Sequence, residues 1–213
     1  MQDESAAKAA LLSVYPEADE QLKRYVDILA DRGIEWGLLG PREGDKLWGR
    51  HVANSLALVD VIPEGVNVAD VGSGAGLPGV PLAIVRPDLD LYLLEPMQRR
   101  AEFLELAVEE LDLGARVRVL RVRAEDYSPG PDDPETFDVV TCRAVAPLGR
   151  LLGWTASLFF PDGELVALKG QSAEAEIEKA AKVLRSHRAR AEVLELAGPG
   201  GVEGTRAIRV RSF

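Results

Sequence analysis

Hydrophobic positions along the chain change their period once, near residue 62. Before that point they recur at helical spacing, with Leu22, Val26 and Leu29 in one run and Trp48, Val52, Leu56 and Val59 in another. Between the runs, Gly37-Leu-Leu-Gly-Pro-Arg-Glu-Gly44 is rich in breakers and predicts an irregular segment. From residue 66 onward, short apolar runs of strand length alternate with helical stripes. Strands are expected over 66–71, 90–95, 117–123, 137–142 and 163–169, and helices over 77–85, 98–111, 148–159 and 173–185. A loop rich in Pro, Gly and Asp occupies 128–135. Strands alternating with helices mean a parallel sheet covered on both faces.

The end of the chain breaks that alternation. Runs 189–196 and 206–211 are strand-like, and the Gly-rich stretch 197–204 between them leaves no room for a helix. They should therefore pair as an antiparallel hairpin. The expected fold is α/β, a mostly parallel seven-stranded sheet closed by an antiparallel C-terminal hairpin. Residues 1–62 are read as a helical extension packed on the same domain, and 63–213 as a Rossmann-like domain.

The stretch Val66-Asn-Val-Ala-Asp-Val-Gly-Ser-Gly-Ala-Gly-Leu-Pro-Gly79 reads as a buried strand, a tight glycine turn and the opening of a helix. Gly72, Gly74 and Gly76 lack the Cβ that keeps a ligand away from backbone, and they tolerate positive φ. Such a turn lies where open α/β sheets bind ligands. Residues 74–79 match the dinucleotide fingerprint G-x-G-x-x-G. Asp70, two positions before the first glycine, instead suits a cofactor with a cationic end and would repel a pyrophosphate. Glu95, at the end of the next apolar run, is spaced to accept from ribose hydroxyls in either case.

Composition narrows the partners. A chain of 213 residues with 46% hydrophobic positions fits one domain with a substantial core. A formal charge of −10 argues against coating nucleic acid over the whole surface but leaves room for a local basic cleft. No apolar run approaches membrane-spanning length and no basic-then-apolar leader opens the chain, so a cytoplasmic protein with no membrane partner is expected. One cysteine, Cys142, and two histidines make a metal site improbable. Cys142 ends an apolar strand and reads as packing. Arg50 and Asn54 lie four apart on one helical face, and Arg143 ends the fourth strand, where such folds bring ligands together.

Five pieces, in order over residues 46–171, carry a closer likeness: Arg50-His51-x-x-Asn54-Ser55, Asp70-Val-Gly-Ser-Gly-Ala-Gly-Leu-Pro-Gly-Val-Pro-Leu-Ala-Ile84, Arg123-Ala-Glu125, Cys142-Arg-Ala-Val-Ala146 and Leu168-Lys-Gly170. With them the chain resembles the bacterial small-subunit ribosomal RNA methyltransferase G family, also called glucose-inhibited division protein B. Cys142 stands where that family often has serine, and Glu95 where some members have aspartate. The resemblance implies the class I S-adenosylmethionine-dependent methyltransferase fold, and a monomer is expected. It also implies methyl transfer to N7 of a guanine in the 530 loop of 16S ribosomal RNA, within the small subunit or free.

Under that resemblance Gly72, Gly74, Gly76 and Leu77 line the cofactor, Asp70 supports the loop, and Glu95 accepts from the ribose. Ala124 and Glu125 meet the adenine, and Arg143 contacts cofactor or substrate as the catalytic candidate. Arg50, His51 and Lys169 are expected to grip RNA, with Arg99, Arg100 and Arg150 as further rim candidates. Two other readings stay open: a methyltransferase acting on another acceptor, and a dinucleotide-binding oxidoreductase or nucleotide sensor.

Overall fold

A computed structural model describes residues 3–40 and 43–213, so Pro41 and Arg42 of the expected irregular segment, like the first two residues, lie outside the described residues. A seven-stranded sheet runs through the centre, in the order β3-β2-β1-β4-β5-β7-β6. Its strands are β1 (Asn67–Val71), β2 (Asp90–Leu94), β3 (Val117–Leu120), β4 (Val139–Arg143), β5 (Glu164–Lys169), β6 (Ala189–Leu196) and β7 (Thr205–Ser212). The first five are parallel, while β7 inserts antiparallel between β5 and β6. The expected hairpin therefore forms, and its second strand, not its first, joins the parallel set.

Both faces of the sheet are buried, which is why its strands read as near-continuous apolar runs. In β2, Leu91 and Leu93 pack into a core shared with the N-terminal helices, and Tyr92 and Leu94 pack into a second core on the opposite face. The first face is covered by α1 (Glu4–Val14), α2 (Asp19–Ile28), the short α3 (Ala53–Leu56), α4 (Gly79–Val85) and α5 (Gln98–Glu110). The second is covered by α6 (Leu148–Phe159) and α7 (Ala173–Ser186). Leu22, Val26 and Leu29 are buried as their spacing predicts, as are Trp48, Val52 and Leu56.

Three of the differences from the expected boundaries have local reasons. β3 stops at Leu120, since it is an edge strand and the Val122 amide folds back onto the Leu120 carbonyl (2.9 Å). The expected helix from residue 77 begins at Gly79, because 72–78 are spent in the glycine turn. The helix carrying Arg50 and His51 opens as a wide π-type segment, Leu47–Val52, before tightening into α3.

The strand order sets the position of the site. The chain builds outward from β1 through β2 to β3, then returns to the other side of β1 and builds through β4 and β5. Adjacent β1 and β4 therefore flank the switch point, where a crevice opens beyond the carboxyl ends of the strands. β1 delivers the glycine turn to that crevice, and β4 delivers Arg143.

Candidate active site

The glycine turn is tied down by carboxylates from the ends of two strands. Glu95, just past β2 and 1% exposed, accepts from the Gly74 amide through Oε2 (3.0 Å) and from the Met97 amide through Oε1 (3.0 Å). Asp70, in β1 and fully buried, accepts from the Gly79 amide through Oδ2 (3.0 Å). Its Oδ1 is buried with no partner among the described residues, and burial pushes the carboxyl up to about 7. From the N-terminal helices, the buried Tyr25 hydroxyl of α2 donates to the Ala75 carbonyl (2.7 Å).

Two glycines here serve different ends. Gly74 (φ +58°) leaves a face on which an added Cβ would meet only the Gly72 carbonyl oxygen, at 3.7 Å, so this stretch of backbone is open. At Gly76 (φ +93°) a Cβ would stand 2.6 Å from Val80 Cγ2 and 3.0 Å from the Tyr25 hydroxyl. Gly76 is thus a packing requirement beneath the loop.

A cleft of about 400 Å³ lies over the turn, lined among others by Leu38, Gly72, Gly74, Leu77, Glu95 and Arg143. A second cleft, of about 620 Å³, lies on the β5 side and includes Arg50, Asn54, Arg143, Lys169 and Glu176 in its lining. Arg143, Ala144 and Val145 line both. Ala144 takes a positive φ (+55°), a costly conformation for alanine, as the chain leaves β4 between the clefts.

Arg143 is partly buried, and its guanidinium is met from the N-terminal helices. Its Nη2 contacts His51 Nδ1, while its Nη1 is buried with no partner among the described residues. Burial lowers the pKa of the Arg143 guanidinium. The other nitrogen of His51, Nε2, lies 2.8 Å from Glu43 Oε2. Burial and the adjacent Arg143 push His51 down to about 4, so its ring is neutral. Glu43 also faces Lys46 (3.4 Å) and Arg50 (3.7 Å).

Several expected contacts sit elsewhere. His51 is 4% exposed with both ring nitrogens occupied, so it faces Arg143 and Glu43 and is not free to grip RNA. Asp70 lies beneath the turn and outside the cleft lining, which corrects the idea that it faces a cationic ligand directly. Ala124 is buried in the core beside α6, and Glu125 points to solvent; neither lines the cleft over the turn. The short turn after β3, Ala124–Asp126, packs Ala124 into the second core and leaves Glu125 exposed. Lys169 lines the larger cleft but is engaged by the Ala146 carbonyl (2.6 Å) and Glu176 (2.9 Å). Of the remaining cations, Arg50 is the most open of the cleft-lining ones, its side chain 61% exposed. Arg100 lines the smaller cleft, Arg99 lies over the Trp36 ring, and Arg150 is exposed outside both linings. Cys142 is buried, and burial pushes its thiol up to about 12, which removes it as a nucleophile.

Tyr25 and Glu43 went unnoticed in the sequence. Tyr25 sits within an ordinary apolar stripe, 50 residues from its partner. Glu43 sits in a breaker-rich segment where an acid carries no pattern. Among the described residues, no cluster of His, Cys, Asp and Glu is arranged to hold a metal ion, and no helix is long and apolar enough to cross a membrane.

Comparison with known proteins places the chain in one family. The family model for rRNA small subunit methyltransferase G matches residues 18–200. The chain is 49% identical over 190 residues to a ribosomal RNA small subunit methyltransferase G from Salinispora arenicola, covering 88% of this chain and 78% of that protein. It is 46% identical over 203 residues to one of the same name from Kineococcus radiotolerans, covering 94% and 78%. Among solved structures it is similar to a precorrin-6y C5,15-methyltransferase from Geobacter metallireducens (TM-score 0.53, 16% identity, 83% of this chain and 91% of that one). It is also similar to P. horikoshii TYW2 in complex with MeSAdo (TM-score 0.58, 14% identity, 76% and 62%). The structural likeness carries the fold, that of class I methyltransferases.

Proposed function

Because the chain belongs to the rRNA small subunit methyltransferase G family, we propose that it transfers a methyl group from S-adenosylmethionine to N7 of a guanine in the 530 loop of 16S ribosomal RNA. The observation that carries the reading is Arg143 at the shared wall of two clefts, one over bare glycine backbone and one open and rimmed by Arg50 and Asn54. The smaller cleft is the cofactor's and the larger the nucleotide's.

The residues present fit that cofactor. Gly74 exposes open backbone, each Glu95 oxygen keeps a second acceptor site for a ribose hydroxyl, and the unpartnered Nη1 of Arg143 suits an anionic or carbonyl oxygen. When bound, the cofactor supplies an electrophilic sulfonium methyl. Guanine N7 bears an in-plane lone pair and no proton, so no side chain has to act as a general base. The protein's task is alignment of nucleophile, methyl and sulfur, which can supply much of the rate.

Glu95, Asp70 and Tyr25 hold the turn rigid toward that end. Arg143 stands at the boundary, able to donate to the cofactor, to guanine O6 or to a phosphate while leaving N7 free; bidentate capture of O6 and N7 would block the reaction. Arg50, the exposed cation of the larger cleft, grips phosphate. The overall charge of −10 then confines RNA to this rim.

The test is transfer of radiolabelled methyl from S-adenosylmethionine to undermethylated small subunits and to their naked ribosomal RNA, mapped by base and atom. We expect label on N7 of a single guanine in the 530 loop. Absence of label on either substrate, with S-adenosylmethionine still bound, would overturn the acceptor and redirect the search to another one.

A further inference from the structure

His51 joins two groups of opposite charge inside the protein. Its Nε2 lies 2.8 Å from Glu43 Oε2, and its Nδ1 is in contact with Arg143 Nη2. A ring 4% exposed is largely shielded from solvent that could replace either partner. Only one of its three protonation states serves both contacts. The imidazolium has no acceptor and would set a cation against the guanidinium. The neutral ring protonated on Nδ1 would point N–H at N–H and leave the Nε2 lone pair facing a carboxylate oxygen. The neutral ring protonated on Nε2 donates to Glu43 and accepts from Arg143.

From this geometry we propose that His51, fixed in its Nε2–H form by Glu43, is the positioning residue of Arg143, holding the guanidinium at the wall shared by the two clefts. Its backbone is pinned in turn, since Ser55 Oγ donates to the His51 carbonyl (2.8 Å). The guanidinium gains one fixed hydrogen bond from the N-terminal helices, on the side away from β4. Its second terminal nitrogen, Nη1, is buried without a partner among the described residues. The charged and titratable groups around this unit are Glu43, Arg50 and Arg143 facing the ring, Lys46 facing Glu43, and Tyr25 and Asp70 facing the guanidinium. None supplies another acceptor aimed at Nη2. The role is separate from binding RNA, because His51 reaches neither cleft: it acts through Arg143.

Two measurements test it, and only the second rests on the methyl-transfer reading. Long-range proton–nitrogen correlation of the imidazoles needs just two histidines to be resolved, and His187→Gln identifies the other signal. The expected result is a neutral Nε2–H ring for His51 throughout the range in which an ordinary histidine, at 6.5, would titrate. An Nδ1–H ring, or protonation near 6.5, overturns the inference. In kinetics, His51→Phe keeps the ring's shape but removes the acceptor, and His51→Asn places an amide oxygen near the Nδ1 position. We expect Phe to lower kcat about tenfold or more, with KM for S-adenosylmethionine changed much less, and Asn to restore most of the loss. Equal losses in Phe and Asn, or an unchanged kcat in Phe, overturn it. If the wild type methylates no RNA, the methyl-transfer reading fails, while the ring tautomer still decides the role of His51.

Discussion

The glycine turn and the Arg143 cluster meet at the same end of the same sheet but are held by different means. The turn is fastened through its backbone amides, Gly72 and Ser73 to the Leu94 carbonyl, Gly76 and Leu77 to the Ser73 carbonyl, and Gly74 and Gly79 to the Glu95 and Asp70 carboxyl groups. The Arg143 cluster is fastened side chain to side chain, across 92 residues to His51 and from there to Glu43. The first arrangement needs residue types at fixed spacings around one turn. The second needs only that the N-terminal helices dock in the right place. A damaged turn should therefore lose ligand affinity and stability together, while a damaged cluster should lose turnover from a folded protein.

The largest effect expected on that division is at Arg143. Arg143→Ala removes the donor shared by both clefts and should lower kcat by about 10²–10³-fold, comparable to losing one preorganised donor at a reacting centre. Among the described residues its guanidinium makes a single side-chain hydrogen bond, so folding should lose no more than the roughly 1–3 kcal/mol of the His51 nitrogen left unpaired. Single-turnover kinetics alongside urea unfolding checks both halves. Activity retained per folded molecule, with a large loss of stability, would make Arg143 part of the scaffold.

Glu95→Ala probes the other region. It strips two amides of their shared acceptor at a position 1% exposed, and unpaired buried donors cost about 1–3 kcal/mol each. With water entering the cleft to offset part of this, we expect about 2–3 kcal/mol of lost stability and roughly tenfold weaker S-adenosylmethionine binding by calorimetry. Weaker binding at unchanged stability would mean that Glu95 serves the ribose alone and that the turn holds its shape without it.

The same division explains what could be read from the sequence. Strands of the sheet are legible because burial on both faces writes them as apolar runs, and the closing hairpin because no α-helix fits between 196 and 205, where only the single turn Pro199–Gly201 forms. The turn is legible because few residues other than glycine tolerate its backbone. Arg143 is visible by position, as the last residue of β4, but nothing in its neighbourhood names His51 as its partner. His51 beside Arg50 reads as one basic face, yet consecutive helical residues point to different sides, and here His51 is buried while Arg50 is exposed. Ala124 and Glu125 carry the right motif, but the turn after β3 packs Ala124 into the second core and leaves Glu125 exposed, neither in the lining of the cleft over the glycine turn.

The two regions also titrate in opposite directions, which gives the smallest prediction and the one that sharpens the contrast most. Burial pushes Asp70 from 3.8 up to about 7, so in the folded protein it keeps a proton that the unfolded chain has already released. Its contribution to stability is full below pH 3.8 and is lost as pH rises through about 7. His51, pushed by burial and Arg143 from 6.5 to about 4, contributes stability that is full above 6.5 and lost as pH falls through about 4. Between those limits the two slopes oppose each other, and the wild type should be flatter with pH than either group alone would make it. Asp70→Asn keeps an oxygen for the Gly79 amide while removing the titration. The stability of wild type relative to this variant should then fall by about 1.4 kcal/mol per pH unit between roughly pH 4 and 7, the value for one proton. Urea unfolding of both proteins across that range measures the difference with all other carboxylates held in common. A difference independent of pH would mean that Asp70 is ionised in the folded state throughout. The Gly79 amide and Arg143 would then be compensating its burial, and the turn would share its electrostatics with the cluster it was contrasted with.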